Sequence, residues 1–186
     1  MKRLIRQLAA GFRAHGVRKG DCICIMSQTN IYYYPTVYGC IAAGATFYGA
    51  PTRWTPDECK AWAIEVAGAT FFVVEPSFLN HAIAAVEGSS KDLSHILVMN
   101  GKGAERGFAT EKSFFATWNS LLQHGEANWE RMNDFETTKK SIAMRLNTGG
   151  TSGAPKVAQI SHFAAIAHIS QWVHSFGTHA FDVSLP

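Results

Sequence analysis

The strongest constraint on this chain's fold is the way the period of its apolar residues changes along the sequence. Segments with apolar side chains three and four apart give way repeatedly to short, unbroken apolar runs. Leu4, Ile5, Leu8, Ala9 and Phe12 fall on one helical face ahead of Gly16, and Cys22 to Met26 then reads as a buried strand. A second helix is expected from Tyr34 to Ala43, stopping at Gly44, with Pro35 tolerable in its first turn. Thr55-Pro56-Asp57-Glu58 is a helix start: Thr55 can cap, Pro56 suits the first helical position, and Glu58 can reach back to the cap amide. Cys59, Trp62, Ala63 and Val66 are expected to form that helix's apolar face, and Gly68 to end it. Phe71 to Val74 reads as a strand. Ser77 is expected to cap a helix on which Leu79, Ala82, Ile83 and Val86 align, with a further strand at Ile96 to Met99.

Strands written as continuous apolar runs are those covered on both faces, so the fold class is α/β, with alternating helices and strands forming a parallel or mixed sheet. Beyond a glycine-bearing loop at 100–106, Phe114, Phe115, Trp118, Leu121 and Leu122 are expected to mark one more helix. A polar stretch follows from Gln123 to Lys140, then a strand at Ile142 to Asn147. With 186 residues, 47% of them hydrophobic, the chain can bury the core of one domain. No run approaches the roughly eighteen apolar residues that cross a bilayer, so no membrane span is expected.

The net charge of +3 is too small to suggest a nucleic-acid partner, and none is expected, yet Lys2, Arg3, Arg6, Arg13, Arg18 and Lys19 all precede the first acid, Asp21. An Arg-rich, acid-poor amphipathic start can be a mitochondrial presequence. The absence of Ser and the direct passage into a strand favour an ordinary first helix with a solvated basic face and a cytoplasmic protein. Cys22, Cys24, Cys40 and Cys59 form no Cys-x-x-Cys pair, and Cys22 and Cys24 should share one face of a strand as reduced core residues. His162, His168, His174 and His179 scatter around a helix at their spacing, so no metal site is expected there.

The segment that carries chemistry is Thr148-Gly149-Gly150-Thr151-Ser152-Gly153-Ala154-Pro155-Lys156, entered from a strand. Its glycines allow backbone amides to converge on an anion, its hydroxyls add donors, and Lys156 adds a compact positive charge. Polyphosphate suits such a cradle, because hydrogen bonds to charged groups contribute about 1.5 to 3 kcal/mol where neutral ones give about 1. The candidate binding residues are therefore Thr148, Gly149, Gly150, Thr151, Ser152, Gly153 and Lys156. A Walker loop is excluded, because it needs Gly before the Lys and Ser or Thr after it, where Pro155 and Val157 stand. Gly101, Gly103 and Gly107 miss the dinucleotide fingerprint by one residue in the last spacing.

From Asn147 to His162 the sequence NTGGTSGAPKVAQISH resembles the phosphate-loop signature of the AMP-binding, adenylate-forming superfamily, with Pro-Lys after the glycine-rich loop and then Ser-His. Upstream, Gly16-Val17, Lys19-Gly20-Asp21, Asn30, Tyr34-Pro35, Gly39 and Ala43-Gly44-Ala45 follow the order of that superfamily's N-terminal region, in a style similar to fungal 4-coumarate-CoA-ligase-like proteins. Arg145, Gly149 and Val157 depart from it, standing where an apolar residue, Ser or Thr, and Gly are usual.

The resemblance implies part of the large N-terminal domain of an acid–CoA ligase. Its reaction would be attack of an aryl or fatty carboxylate on the α-phosphate of ATP with Mg²⁺, then transfer of the acyl group to CoA. It further implies that residues 1–186 form one partial domain, shortened at the amino end and lacking the C-terminal domain. The adenine, ribose and hinge segments and the C-terminal lysine would be missing with it. The chain alone is then expected not to complete adenylation, and no catalytic residue is assigned. The alternatives are a catalytically inactive phosphate-binding or split-enzyme module, self-associating through exposed strand edges, and an unrelated phosphate-binding α/β protein. Ser161 is expected to cap the helix that His162 begins. A full-length relative could be peroxisomal; Ser184-Leu185-Pro186 is not that address.

Overall fold

The structure is a computed structural model that describes residues 1–99, 108–111, 113–148 and 156–176. Helix α1 (Lys2–Ala14) leads into β1 (Cys22–Met26), α2 (Tyr33–Ala43) and β2 (Thr46–Gly49). Then come α3 (Pro56–Glu58), running on as a π-helix (Cys59–Val66), β3 (Ala69–Val74), α4 (Leu79–Glu87) and β4 (Ile96–Val98). The chain closes with β5 (Phe108–Ala109), β6 (Phe114–Thr117), α5 (Phe135–Lys140), β7 (Ile142–Thr148), β8 (Lys156–Ser161) and α6 (His162–Phe176). No helix among the described residues is long and apolar enough to cross a membrane.

The strands form one sheet in the order β5-β6-β4-β3-β1-β2-β7-β8. Its interior ladders are parallel, and an antiparallel strand closes each edge, β5 on β6 and β8 on β7. The α/β expectation holds in its mixed form.

Two cores lie on opposite faces of the sheet, as the period-two geometry of β1 requires. Cys22, Cys24 and Met26 point to the face covered by the π-helix and α4, while Ile23 and Ile25 point to the face covered by α1 and α2. Full burial along β1 explains why the sequence there has no polar alternation. Burial also pushes all four thiols up, Cys59 to about 12, so they are neutral packing groups.

The turn signals act as their chemistry dictates. Thr55 and Glu58 close a reciprocal capping box, with Glu58 N donating to Thr55 Oγ1 at 3.2 Å and Thr55 N to Glu58 Oε2 at 2.8 Å. Gly44 ends α2 in the left-handed region at φ 91°, at low cost only for glycine. Gly11 lets α1 approach the 118–123 turn so closely that a Cβ there would lie 2.2 Å from Leu121 O.

Three expectations need correction. The helix after Thr55 widens: Ala67 N donates to Trp62 O, an i→i+5 bond, at 2.9 Å. Its buried residues become Cys59, Ala63, Ile64 and Ala67, and Val66 turns outward at 53% exposure. Ser77 caps nothing, because Pro76–Phe78 is a 3-10 turn and α4 starts from Phe78 without a side-chain cap. Phe114 to Leu122 is a strand followed by a 3-10 turn (Trp118–Gln123), with Phe114 exposed and Phe115 buried; short aromatic runs fit a pleated strand as well as a helix. The basic residues at the amino end are exposed as expected, with Arg6 half-buried. Arg3 and Arg6 pair with Glu126 at 3.2 and 3.1 Å, Lys19 pairs with Glu130 at 2.7 Å, and Arg13 donates to Ala42 O at the end of α2 at 3.0 Å.

Candidate functional site at the carboxyl end of the sheet

Because β7 runs parallel to β2, the chain leaves Thr148 at the sheet end where β1, β2 and β3 also finish. In open α/β sheets that end is where ligands bind, since loops converge there without obstruction from the crossovers. The connection at that end is a hairpin. Strands β7 and β8 pair antiparallel from Ile142↔Ser161 to Thr148↔Lys156, so Thr148 and Lys156 stand side by side at its mouth. Thr148 Oγ1 donates to Lys156 O at 3.2 Å. Lys156 is exposed, and among the described residues its ammonium has no ion-pair partner.

Of the residues singled out from sequence, Thr148 and Lys156 are thus brought together. Gly149, Gly150, Thr151, Ser152 and Gly153 lie outside the described residues, as do Gly101, Gly103, Gly107 and His179. Ser161 caps α6 as expected, its Oγ accepting from Ala164 N at 3.2 Å. His162 is half-buried, and loss of solvent pushes its pKa below the usual imidazole value.

Two features of this end escaped sequence reading. Asn30 Nδ2 donates to Ser27 Oγ at 2.8 Å and to Glu75 Oε1 at 3.0 Å, while Gln28 N donates to Glu75 Oε2 at 2.8 Å. This network ties the turn after β1 to the end of β3; Asn30 entered the sequence reading only through the family resemblance, and its Oδ1 also accepts from Tyr32 N at 2.9 Å. The other is Tyr48, which is fully buried on β2 and donates its hydroxyl to Asn147 Oδ1 at 2.8 Å. Burial holds that phenol well above its usual range, so it stays a neutral donor.

Arg145, which departs from the family pattern, also has a structural use. Its Nη1 donates to Ala67 O at the end of the π-helix, and its Nε is buried with no hydrogen-bond partner among the described residues.

A cavity of about 700 Å³ lies elsewhere, lined by Arg13, Lys19, Gly44, Trp129, His162 and Ile166 among others. Lys19 and Gly44 precede β1 and β2, and His162 follows the antiparallel β8, so this cavity faces the amino ends of the parallel strands. It is at the opposite end of the sheet from the hairpin mouth.

The fold is thus a mixed α/β sheet with a candidate ligand site at the carboxyl ends of its parallel strands. The profile of the family described as AMP-binding enzyme matches residues 1–185, and the chain belongs to that family. The acyl-CoA ligase azaF of Aspergillus niger is 37% identical over 164 residues, covering 88% of this chain and 30% of the relative. Phenylacetyl-CoA ligase epaB, from another Aspergillus niger strain, matches at the same identity and coverage, 37% over 164 residues, with 88% of this chain and 30% of its own length. A long-chain-fatty-acid-CoA ligase of Archaeoglobus fulgidus shares the fold at a TM-score of 0.79 and 21% identity, over 97% of this chain and 33% of that one. The chain therefore spans about 30% of the length of these curated relatives.

Proposed function

We propose that this chain supplies the polyphosphate-binding part of the N-terminal domain of an ATP-dependent acid–CoA ligase. The acid is an aryl or fatty carboxylic acid. In this reading residues 1–186 form one part of a single domain, and the segment from Thr148 to Lys156 holds the phosphates that leave as pyrophosphate.

The observation that carries the reading is the pairing of Thr148 with Lys156 across the hairpin mouth, a hydroxyl beside an ammonium that has no ion-pair partner among the described residues, at the carboxyl end of the parallel strands. That set fits a polyphosphate: Lys156 acts as a point charge, the glycines between them would add backbone amides, and the Thr148 hydroxyl, which donates to Lys156 O in the free chain, would turn to donate to a phosphate oxygen. The work of these residues is to orient the phosphates and to offset charge as it builds on the departing group. Mg²⁺, bound with the nucleotide, would neutralise the same phosphate oxygens. Its ligands come chiefly from phosphates and water, which agrees with a mouth whose described residues, Thr148 and Lys156, are a hydroxyl and an ammonium. CoA enters as the second substrate.

Calorimetric titration with MgATP tests the assignment. Lys156→Ala is expected to weaken binding about 10-fold or more, the loss of one charge-assisted contact, while Lys91→Ala, on the loop between α4 and β4, leaves it unchanged. Equal affinity in the two variants would remove the phosphate role of the hairpin.

A further inference from the structure

The β2–β7 ladder covers only two positions, Phe47↔Met144 and Tyr48↔Arg145. Beyond Arg145, the last residues of β7 are paired only with β8, at Leu146↔Ala158, Asn147↔Val157 and Thr148↔Lys156. The mouth of the hairpin thus runs past the backbone hydrogen bonds that join it to the sheet. A two-stranded ribbon without further support is marginal in water.

Side chains on one face of β7 take over where the ladder stops. Arg145 and Asn147 are two apart and project to the same face as Tyr48, their neighbour on β2. Arg145 reaches Ala67 O, so it holds the ladder's last rung to the π-helix. Tyr48 is 0% exposed, and its hydroxyl makes its 2.8 Å bond to Asn147, the residue immediately before the mouth. Val157, opposite Asn147 in β8, packs against the same core.

We infer that Tyr48 and Asn147 form a latch that positions the hairpin mouth, making Tyr48 a positioning residue for polyphosphate binding although it lies 99 residues upstream of its partner. The latch works by sequestering a buried phenol: among the described residues the hydroxyl has one acceptor, and swinging the mouth away would leave it unsatisfied in the core. The binding half of this inference rests on the reading proposed above, whereas the latch itself does not.

Two measurements on the full chain separate these claims. Tyr48→Phe keeps the ring and removes only the hydroxyl; Asn147→Ala removes the acceptor from the other side, should the first variant fold poorly. Amide hydrogen exchange is expected to accelerate about three- to tenfold at 146–148 and 156–158 in either variant, with β1 and β3 unchanged. The dissociation constant for MgATP is expected to rise by a similar factor, and the double variant to be no worse than the poorer single one, since both remove the same bond. Unchanged exchange at the mouth, or additive losses in the double variant, would overturn the latch. Accelerated exchange with unchanged MgATP affinity would keep the latch and overturn its role in binding. If the unaltered chain binds no MgATP, the phosphate reading falls, and the exchange experiment still decides whether the latch exists.

Discussion

The centre of the sheet and its β7–β8 edge are built on different physics. In β1 every side chain is buried, each strand beside it adds another apolar run, and helices cover both faces. In β7 only Ala143 is fully buried, and α6 leaves Ile166 and Ile169 about three-fifths exposed, at 60% and 59%. The first region is held by area removed from water. The second is held by a short ladder, by Tyr48–Asn147 and Arg145–Ala67, and by the Ser161 cap. Stability and the candidate site are thus separated within one sheet, with the buried parallel strands as the platform and the lightly anchored hairpin carrying the residues proposed to bind phosphate.

Truncating the centre should cost most. Phe72→Ala, on β3 between the two neighbouring strands, is expected to lower stability by about 3 to 5 kcal/mol in urea unfolding, through lost burial and the cavity it leaves. A loss under about 1 kcal/mol would mean that this face is not a packed core. Removing the reciprocal cap with Thr55→Ala should cost about 1 kcal/mol, seen as a lower urea midpoint with an unchanged slope. At the edge, Ile166→Ser should move stability by less than about 0.5 kcal/mol while reducing the binding of a hydrophobic dye, because its side chain is already in water. An edge substitution as costly as Phe72→Ala would erase the contrast.

The centre was also the legible part. Continuous apolar runs identify β1, β3 and β4, and the Thr55 box and Gly44 identify a helix start and stop, because burial and caps write themselves into local residue types. What escaped lies where the environment is not local. β2 is four residues long and β8 carries no apolar pattern, so neither shows a period; both exist because neighbouring strands offer partners. Asp134 caps α5 inside a stretch that reads as polar loop, since a six-residue helix with no buried residue has no apolar face to display. The widening after Glu58 likewise leaves no mark in the local sequence.

The candidate site divides the same way. The type of loop is legible from its glycines, hydroxyls and lysine, and so is the resemblance it carries. That Thr148 faces Lys156 across a hairpin is not, because it requires the antiparallel turn of β8. Tyr48 is less visible still: a tyrosine in a short apolar run reads as core, and only tertiary structure brings its hydroxyl to Asn147.

The central claim is that polyphosphate binds at the hairpin mouth and not in the cavity at the other end of the sheet. Titrating inorganic pyrophosphate into the isotopically labelled chain, and following backbone amide shifts by NMR, tests it directly. The account predicts saturable shifts concentrated between Asn147 and Val157. Shifts confined to Arg13, Lys19, Gly44 and the 129–133 segment around the cavity would contradict it.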